Sequence, residues 1–118
     1  LDVYDYLLDR IESCERAGIP RDRICVDPGI GFGKSLSHNL ELLSRLAIFH
    51  GLGCSILLGT SRKSFIGKID PAATPKERIG GSIASAINGW RHGVQMIRVH
   101  DVRETVQSIS IATATSMV

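Results

Sequence analysis

The chain has 118 residues, 43% of them hydrophobic, and a net charge of +2. That composition bounds it to one modest globular domain and gives no reason to expect a nucleic-acid or membrane partner. No apolar run approaches the roughly 20 residues a membrane span requires, and nothing at the start has the pattern of a secretory leader.

The chain opens at Leu1, already inside a helical pattern, as expected of a chain without its natural beginning. Val3, Leu7, Ile11 and Cys14 recur at helical spacing, and Gly18 followed by Pro20 supplies a stop. Ile24-Cys25-Val26 is too short for a helix and reads as a buried strand leading into Asp27. A glycine-rich loop follows. Ser37 then caps a second helix whose apolar face uses Leu40, Leu43, Leu46 and Ala47, ending at Gly51. Cys54 to Leu58 is a nearly continuous apolar strand, followed by the polar loop "GTSRKSFIGKID". Thr74-Pro75-Lys76-Glu77 has the form of a capping box, and the helix behind it carries Ile79, Ile83, Ala84 and Ile87 toward a core and stops at Gly93. Gln95 to Val99 is a third strand. Asp101 then caps a last helix, with Glu104 at its third position and an apolar face of Val102, Val106 and Ile109.

A helix followed by three strand–helix units predicts an α/β fold with a parallel sheet buried on both faces. In such folds ligands sit at the carboxyl ends of the strands. The three unusual stretches, "DPGIGFGK", "GTSRKSF" and "RVHD", all fall at strand ends or just beyond, so one face of the protein is chemically equipped. The cysteines, Cys14, Cys25 and Cys54, are odd in number and lack C-x-x-C spacing. They are expected as small buried hydrophobes of a reducing, cytoplasmic protein.

"DPGIGFGKS" is not a phosphate-binding P-loop, because the position five residues before Gly33 holds Pro28 instead of glycine. Asp27 reads either as a turn former or as a carboxylate aimed at a ligand. Gly29, Gly31 and Gly33 favour the ligand, since they let backbone pass close to something flat, and Phe32 between them is either a core anchor or an aromatic lid. In "SRKS" alternate residues face opposite ways, so Ser61 and Lys63 share a side with Ser64 at the turn. The hydroxyls and the point charge suit carbonyl or carboxylate recognition. Lys34 and Lys68 read as solvent-facing charges. Arg98 and His100 are two apart on a strand and share one face; a guanidinium there needs a core acid or an anionic or planar ligand. The helix starting at Asp101 adds amides beside it. His38, His50 and His92 have no partner spacing and are expected at the surface, and no cluster has the composition of an all-protein metal site.

"DPGIGFGKSLSHNLELL" at 27–43, "LLGTSRKSFIG" at 57–67 and "IRVHDV" at 97–102, with "ERIGGSIASAINGWRHGV" between the last two, resemble the dihydropteroate synthase family over essentially the whole chain. The resemblance implies a TIM (β/α)8 barrel, which needs about 250 residues. This chain, 1–118, would hold its last three βα units and the preceding helix, the carboxyl-terminal part of one pterin-binding domain. It further implies condensation of 6-hydroxymethyl-7,8-dihydropterin pyrophosphate with p-aminobenzoate, releasing pyrophosphate, in a cytoplasmic homodimer inhibited by sulfonamides. Mg²⁺ would be held by the other half of the barrel and the substrate pyrophosphate.

Carried over by position, Asp27 would bind the pterin ring nitrogens and Lys63 its carbonyl region, while Arg98 would lie against the ring and reach the pyrophosphate. His100 would complete the anion site. Ser61, Ser64 and Phe32 would border the p-aminobenzoate pocket, and Gly31 and Gly59 belong to the same substrate-facing set. A pterin-binding methyltransferase module would need the strand-end aspartate but neither "SRKSF" nor the pyrophosphate site at "RVHD". A barrel fragment without activity of its own is the remaining alternative.

Overall fold

The computed structural model describes residues 2–118; Leu1 lies outside the described residues. Helix α1 (Asp2–Arg16) precedes three strand–helix units: β1 (Cys25–Val26) with α2 (Leu36–Ser44), β2 (Ser55–Leu58) with α3 (Ser64–Ile69) and α4 (Ile79–Arg91), and β3 (Met96–Ile97) with α5 (Val102–Ser116). The sheet is parallel in the order β1-β2-β3, with Cys25 opposite Ser55, Val26 opposite Ile56, Leu57 opposite Met96 and Leu58 opposite Ile97. The order never reverses, as it would at the switch point of a doubly wound sheet. The helices follow the strands in sequence, α4 packing on α2 and α5 on α4.

The core lies between sheet and helices in two clusters. Ile11, Val26, Phe49, Leu52, Cys54 and Ile56 form one, and Ile30, Leu43, Leu46, Leu58, Phe65 and Ile66 the other. Central β2 feeds both through Ile56 and Leu58. The connection from β1 to β2 departs from the expected single helix. α2 stops at Ser44, and a 3-10 stretch over Leu46–Leu52 continues to Gly53, whose left-handed φ of 74° ends it. Leu43, Leu46, Phe49 and Leu52 are all buried, a spacing of three that aligns side chains on one face in a helix of 3.0 residues per turn. Leu40 and Ala47, placed on the apolar face by a 3.6-residue period, are exposed. The cap is Ser35 and not Ser37: Ser35 Oγ accepts the His38 N–H at 3.3 Å.

In α4 the buried face is inverted relative to expectation. Ser82, Ser85, Ala86 and Gly89 are buried, while Ile79 and Ala84 are exposed and Ile83 and Ile87 half-buried. The reason is distance: a Cβ on Gly89 would meet Leu58 Cδ2 at 2.5 Å and one on Gly81 would meet Ile66 Cγ2 at 2.5 Å. Only small residues fit where the helix lies this close to β2 and α3. The box at Thr74–Glu77 forms, with Thr74 Oγ1 donating to Glu77 Oε1 at 2.7 Å and holding the Glu77 carboxyl below its ordinary pKa, but it heads a 3-10 turn ahead of α4. Helix α5 buries Thr105 and leaves Val102 and Val106 exposed.

The sheet is covered on one face only. Val26, Ile56 and Leu58 point to the helices, whereas Cys25, Ser55 and Met96 lie exposed on the other face. Cys25 is therefore not a buried hydrophobe as expected; of the three thiols Cys54 alone is buried, Cys14 being half-buried. The accessible surface of 7259 Å² exceeds the ~6,300 Å² of a compact protein of this mass. The 15.1 Å radius of gyration likewise exceeds the ~13.5 Å of a compact domain. A sheet with an open face and two edge strands lacks the burial that makes unfolding cooperative. Expressed by itself, this 118-residue chain is expected to show a broad thermal transition or to associate; a sharp, reversible calorimetric transition of a monomer would contradict this.

Candidate active site

At the end of β1, Asp27 accepts the Gly29 N–H on Oδ1 at 2.8 Å, an Asx turn that leaves Oδ2 for another partner. The loop behind it reverses through three left-handed glycines, Gly29, Gly31 and Gly33, with φ of 76°, 87° and 63°. Between them Ile30 is buried and Phe32 is 63% exposed, so Ile30 is the anchor and Phe32 the aromatic surface. Two side chains overlooked in the sequence hold this loop. Buried Asn39, reaching back from α2, accepts the Gly31 N–H at 2.9 Å. Lys34, expected as a solvent-facing charge, donates Nζ to the carbonyls of Gly29 (2.8 Å) and Phe32 (3.1 Å). A lysine two and five residues after carbonyls of a loop turned by left-handed glycines is the signal that could have revealed it.

At the end of β2, Gly59 and Thr60 are buried and Ser61 is 8% exposed. Lys63 projects toward β1. A Cβ on Gly31 would meet its Cδ at 3.0 Å, and Nζ lies 3.9 Å from the centroid of the Phe32 ring, a cation–π contact. Partial burial, followed by the positive charge of Arg98, lowers the Lys63 pKa from its ordinary value, with Asp27 opposing the shift. Ser61 reaches the other way: its Oγ accepts the His100 backbone N–H at 3.2 Å and lies 2.8 Å from His100 Nδ1. Ser64 stands exposed at the start of α3.

At the end of β3, the Arg98 N–H donates to the Leu58 carbonyl at 2.9 Å, which seats Arg98 beside Gly59. Its guanidinium lies against Gly59 so closely that any Cβ there would collide with Nη2. From that position Nη2 is 3.6 Å from Asp27 Oδ2. Arg98 and His100 do share a face, and with Gly59, Ser61, Lys63 and Val99 they line a cleft of about 110 Å³. A groove of about 520 Å³ between α2, α3 and α4 is larger, but it lies on the helix side, away from this chemistry. The Asp101 side chain does not cap α5 as expected; its carboxylate takes the Arg62 guanidinium, Nη2 to Oδ1 3.1 Å.

The strand ends thus bring together one carboxylate, two cations and an imidazole, with Phe32 and Gly59 as flat surfaces. Such a set suits a planar heterocycle carrying an anionic group. The profile of the pterin binding enzyme family matches residues 2–100. The chain belongs to the pterin binding enzyme family.

Among these pterin binding enzymes, the dihydropteroate synthase of Escherichia coli K12 is 46% identical over 114 residues, covering 97% of this chain and 40% of its own length. The structure of Yersinia pestis dihydropteroate synthase with a sulfonamide drug complex superposes with a TM-score of 0.94 at 41% identity, over 99% of this chain and 42% of that one. Xanthomonas albilineans dihydropteroate synthase in complex with 7,8-dihydropteroate gives a TM-score of 0.96 at 38% identity, over 99% and 45%. The fold is that of a TIM (β/α)8 barrel segment, and the open sheet face is the one a barrel turns inward. The chain spans less than half the length of these relatives.

Because the guanidinium needs the space a side chain at 59 would fill, Gly59→Ala made in the complete barrel should displace Arg98 while leaving the fold intact. Affinity for inorganic pyrophosphate, measured by titration calorimetry, should fall roughly tenfold; unchanged affinity would show that Arg98 does not bind anions from this position.

Proposed function

We propose that this chain is the carboxyl-terminal part, the last three βα units with the preceding helix, of a dihydropteroate synthase. In that reading it condenses 6-hydroxymethyl-7,8-dihydropterin pyrophosphate with p-aminobenzoate within a complete barrel. The observation that carries the reading is the convergence of Asp27, Lys63 and Arg98 from three strand ends, with Asp27 Oδ2 3.6 Å from Arg98 Nη2. The complexes named above, of related synthases with 7,8-dihydropteroate and with a sulfonamide, support it.

In this reading the C–O bond to pyrophosphate breaks, the aryl amine nitrogen bonds the same methylene carbon, and the amine releases a proton. Positive charge grows on the pterin methylene and negative charge on the departing pyrophosphate. Asp27, with Oδ1 already held by the Gly29 amide, presents Oδ2 to the pterin ring and stabilises the cationic side. Lys63 binds the pterin carbonyl region. Arg98 and His100 take the pyrophosphate, Arg98 exchanging Asp27 for the anion. Phe32, Ser61 and Ser64 border the p-aminobenzoate position, with Ser61 acting mainly by fixing His100, since its hydroxyl is already committed there. Sulfonamides would compete for the p-aminobenzoate place.

Mg²⁺ on the pyrophosphate, a homodimer and a cytoplasmic location belong to the same proposal. Mg²⁺ would neutralise phosphate charge when bound. Among the described residues no group of three or more His, Cys, Asp or Glu side chains could hold a metal, and Asp27 faces Arg98 and Lys63. These residues do not fit a Mg²⁺ site, so its protein ligand would come from elsewhere in the barrel. Among the described residues no helix is long and apolar enough to cross a membrane.

Asp27→Asn keeps an acceptor for the Gly29 N–H, so in the complete barrel it should fold normally yet lose on the order of 3 kcal/mol of transition-state stabilisation, roughly a hundredfold in kcat. Near-normal turnover would remove Asp27 from the mechanism. Ser64→Ala should raise KM for p-aminobenzoate and weaken sulfonamide inhibition with little effect on pterin binding, whereas Lys63→Ala should damage pterin binding first. Steady-state kinetics with each substrate varied in turn distinguishes them, and no change for Ser64→Ala would place the benzoate site on other loops.

A further inference from the structure

Arg62 has φ of 57° and, among the described residues, no other residue apart from glycine has a positive φ. It occupies the third position of a turn closed by the Lys63 N–H on the Thr60 carbonyl at 3.2 Å. A positive φ at that position of a turn is ordinarily met by glycine or asparagine, and a long side chain there is strained. Glycine would serve the backbone better, so the arginine side chain must contribute something that glycine cannot.

Its contacts show what that is. The backbone N–H donates to Ser82 Oγ at 2.9 Å, and the carbonyl accepts Arg78 Nη1 at 3.0 Å, both from the segment that opens α4. The guanidinium crosses to Asp101 Oδ1 at 3.1 Å, at the start of α5. The preceding residue makes a parallel link, Ser61 to His100. Consecutive residues after β2, 61 and 62, therefore pair with consecutive residues after β3, 100 and 101. Lys63, next in line, is turned toward Gly31 and Phe32.

We propose that Arg62 is a positioning residue whose ion pair with Asp101 latches the ends of β2 and β3 together, setting the spacing between Lys63 on one side and the Arg98–His100 anion site on the other. The pair touches no substrate in this reading. It acts through Lys63 and His100, and its effect on catalysis rests on the synthase assignment above. Asp101 then serves the latch in place of capping α5, and the helix start is held instead by Thr105, whose N–H and Oγ1 both donate to the Asp101 carbonyl at 3.0 and 2.8 Å.

Arg62→Gly separates strain from latch, because it relieves the backbone while removing the guanidinium. In the complete barrel it should melt no lower than the unaltered protein, yet lose about tenfold in kcat with smaller changes in either KM, as expected for a lost alignment between two binding groups. Asp101→Asn should lose a similar factor, and the two changes together no more than either alone. The exchanged pair, Arg62→Asp with Asp101→Arg, should recover a large part of the loss, since aspartate tolerates positive φ. Hydrogen exchange reads the latch without any assay of turnover: the amides of Arg62 and Lys63 should exchange several-fold faster in Asp101→Asn. Unchanged exchange would overturn the proposal whatever the kinetics, as would full activity of Arg62→Gly. If the unaltered barrel makes no dihydropteroate while Asp101→Asn still exchanges faster, the synthase assignment falls and the latch stands.

Discussion

The hydrogen bond from the Arg98 N–H to the Leu58 carbonyl extends the pairing of β2 and β3 one step past the strands, and the site is built on its register. It sets Arg98 beside Gly59, where the missing Cβ leaves room for a guanidinium to lie flat and reach Asp27 across β2. A slip of one residue would bring Val99 to Gly59 and turn Arg98 to the helix face, because successive side chains on a strand alternate. The carboxylate and the cations at the strand ends meet only in this register.

What holds that register is the apolar packing on the other side of the same strand. Ile56 and Leu58 are fully buried, one in each core cluster, and α4 approaches β2 so closely that Gly89 cannot bear a side chain. The serines on this close face also serve the site. Ser85 Oγ lies 2.7 Å from Thr60 Oγ1, and Ser82 takes the Arg62 N–H. Stability and site preparation therefore share one layer, and polar groups displace isoleucines from it because the loop amide and hydroxyl beneath need partners.

The glycine loop shows the same preparation. The amides of Gly29 and Gly31 are taken by Asp27 and Asn39, and the carbonyls of Gly29 and Phe32 by Lys34. Left-handed backbone at three nearby glycines carries a conformational entropy cost on folding. These bonds offset it and leave Asp27 oriented before any ligand arrives, which is the condition under which a fixed charge is effective.

The three strands, the parallel sheet, the placement of all three motifs at strand ends and every helix but α3, which folds over Ser64–Ile69 inside the stretch read as a polar loop, were legible in the sequence, because hydrophobic period and turn residues are local properties. Asp27, Lys63, Arg98 and His100 were legible as candidates for the same reason. The buried faces of α4 and α5 were not, since burial of serine, alanine and glycine in place of isoleucine follows from how near a helix sits to its sheet. Nor was the spacing of three from Leu43 to Leu52, which a 3.6-residue period conceals. Lys34, Asn39, Arg62 and Asp101 owe their roles to partners that long-range folding supplies or to a backbone angle, and residue type encodes neither. The sequence by itself determined which groups the strand ends carry; the tertiary structure decided which of them touch, because contact depends on register and interlayer distance, and both are set by packing across the whole sheet.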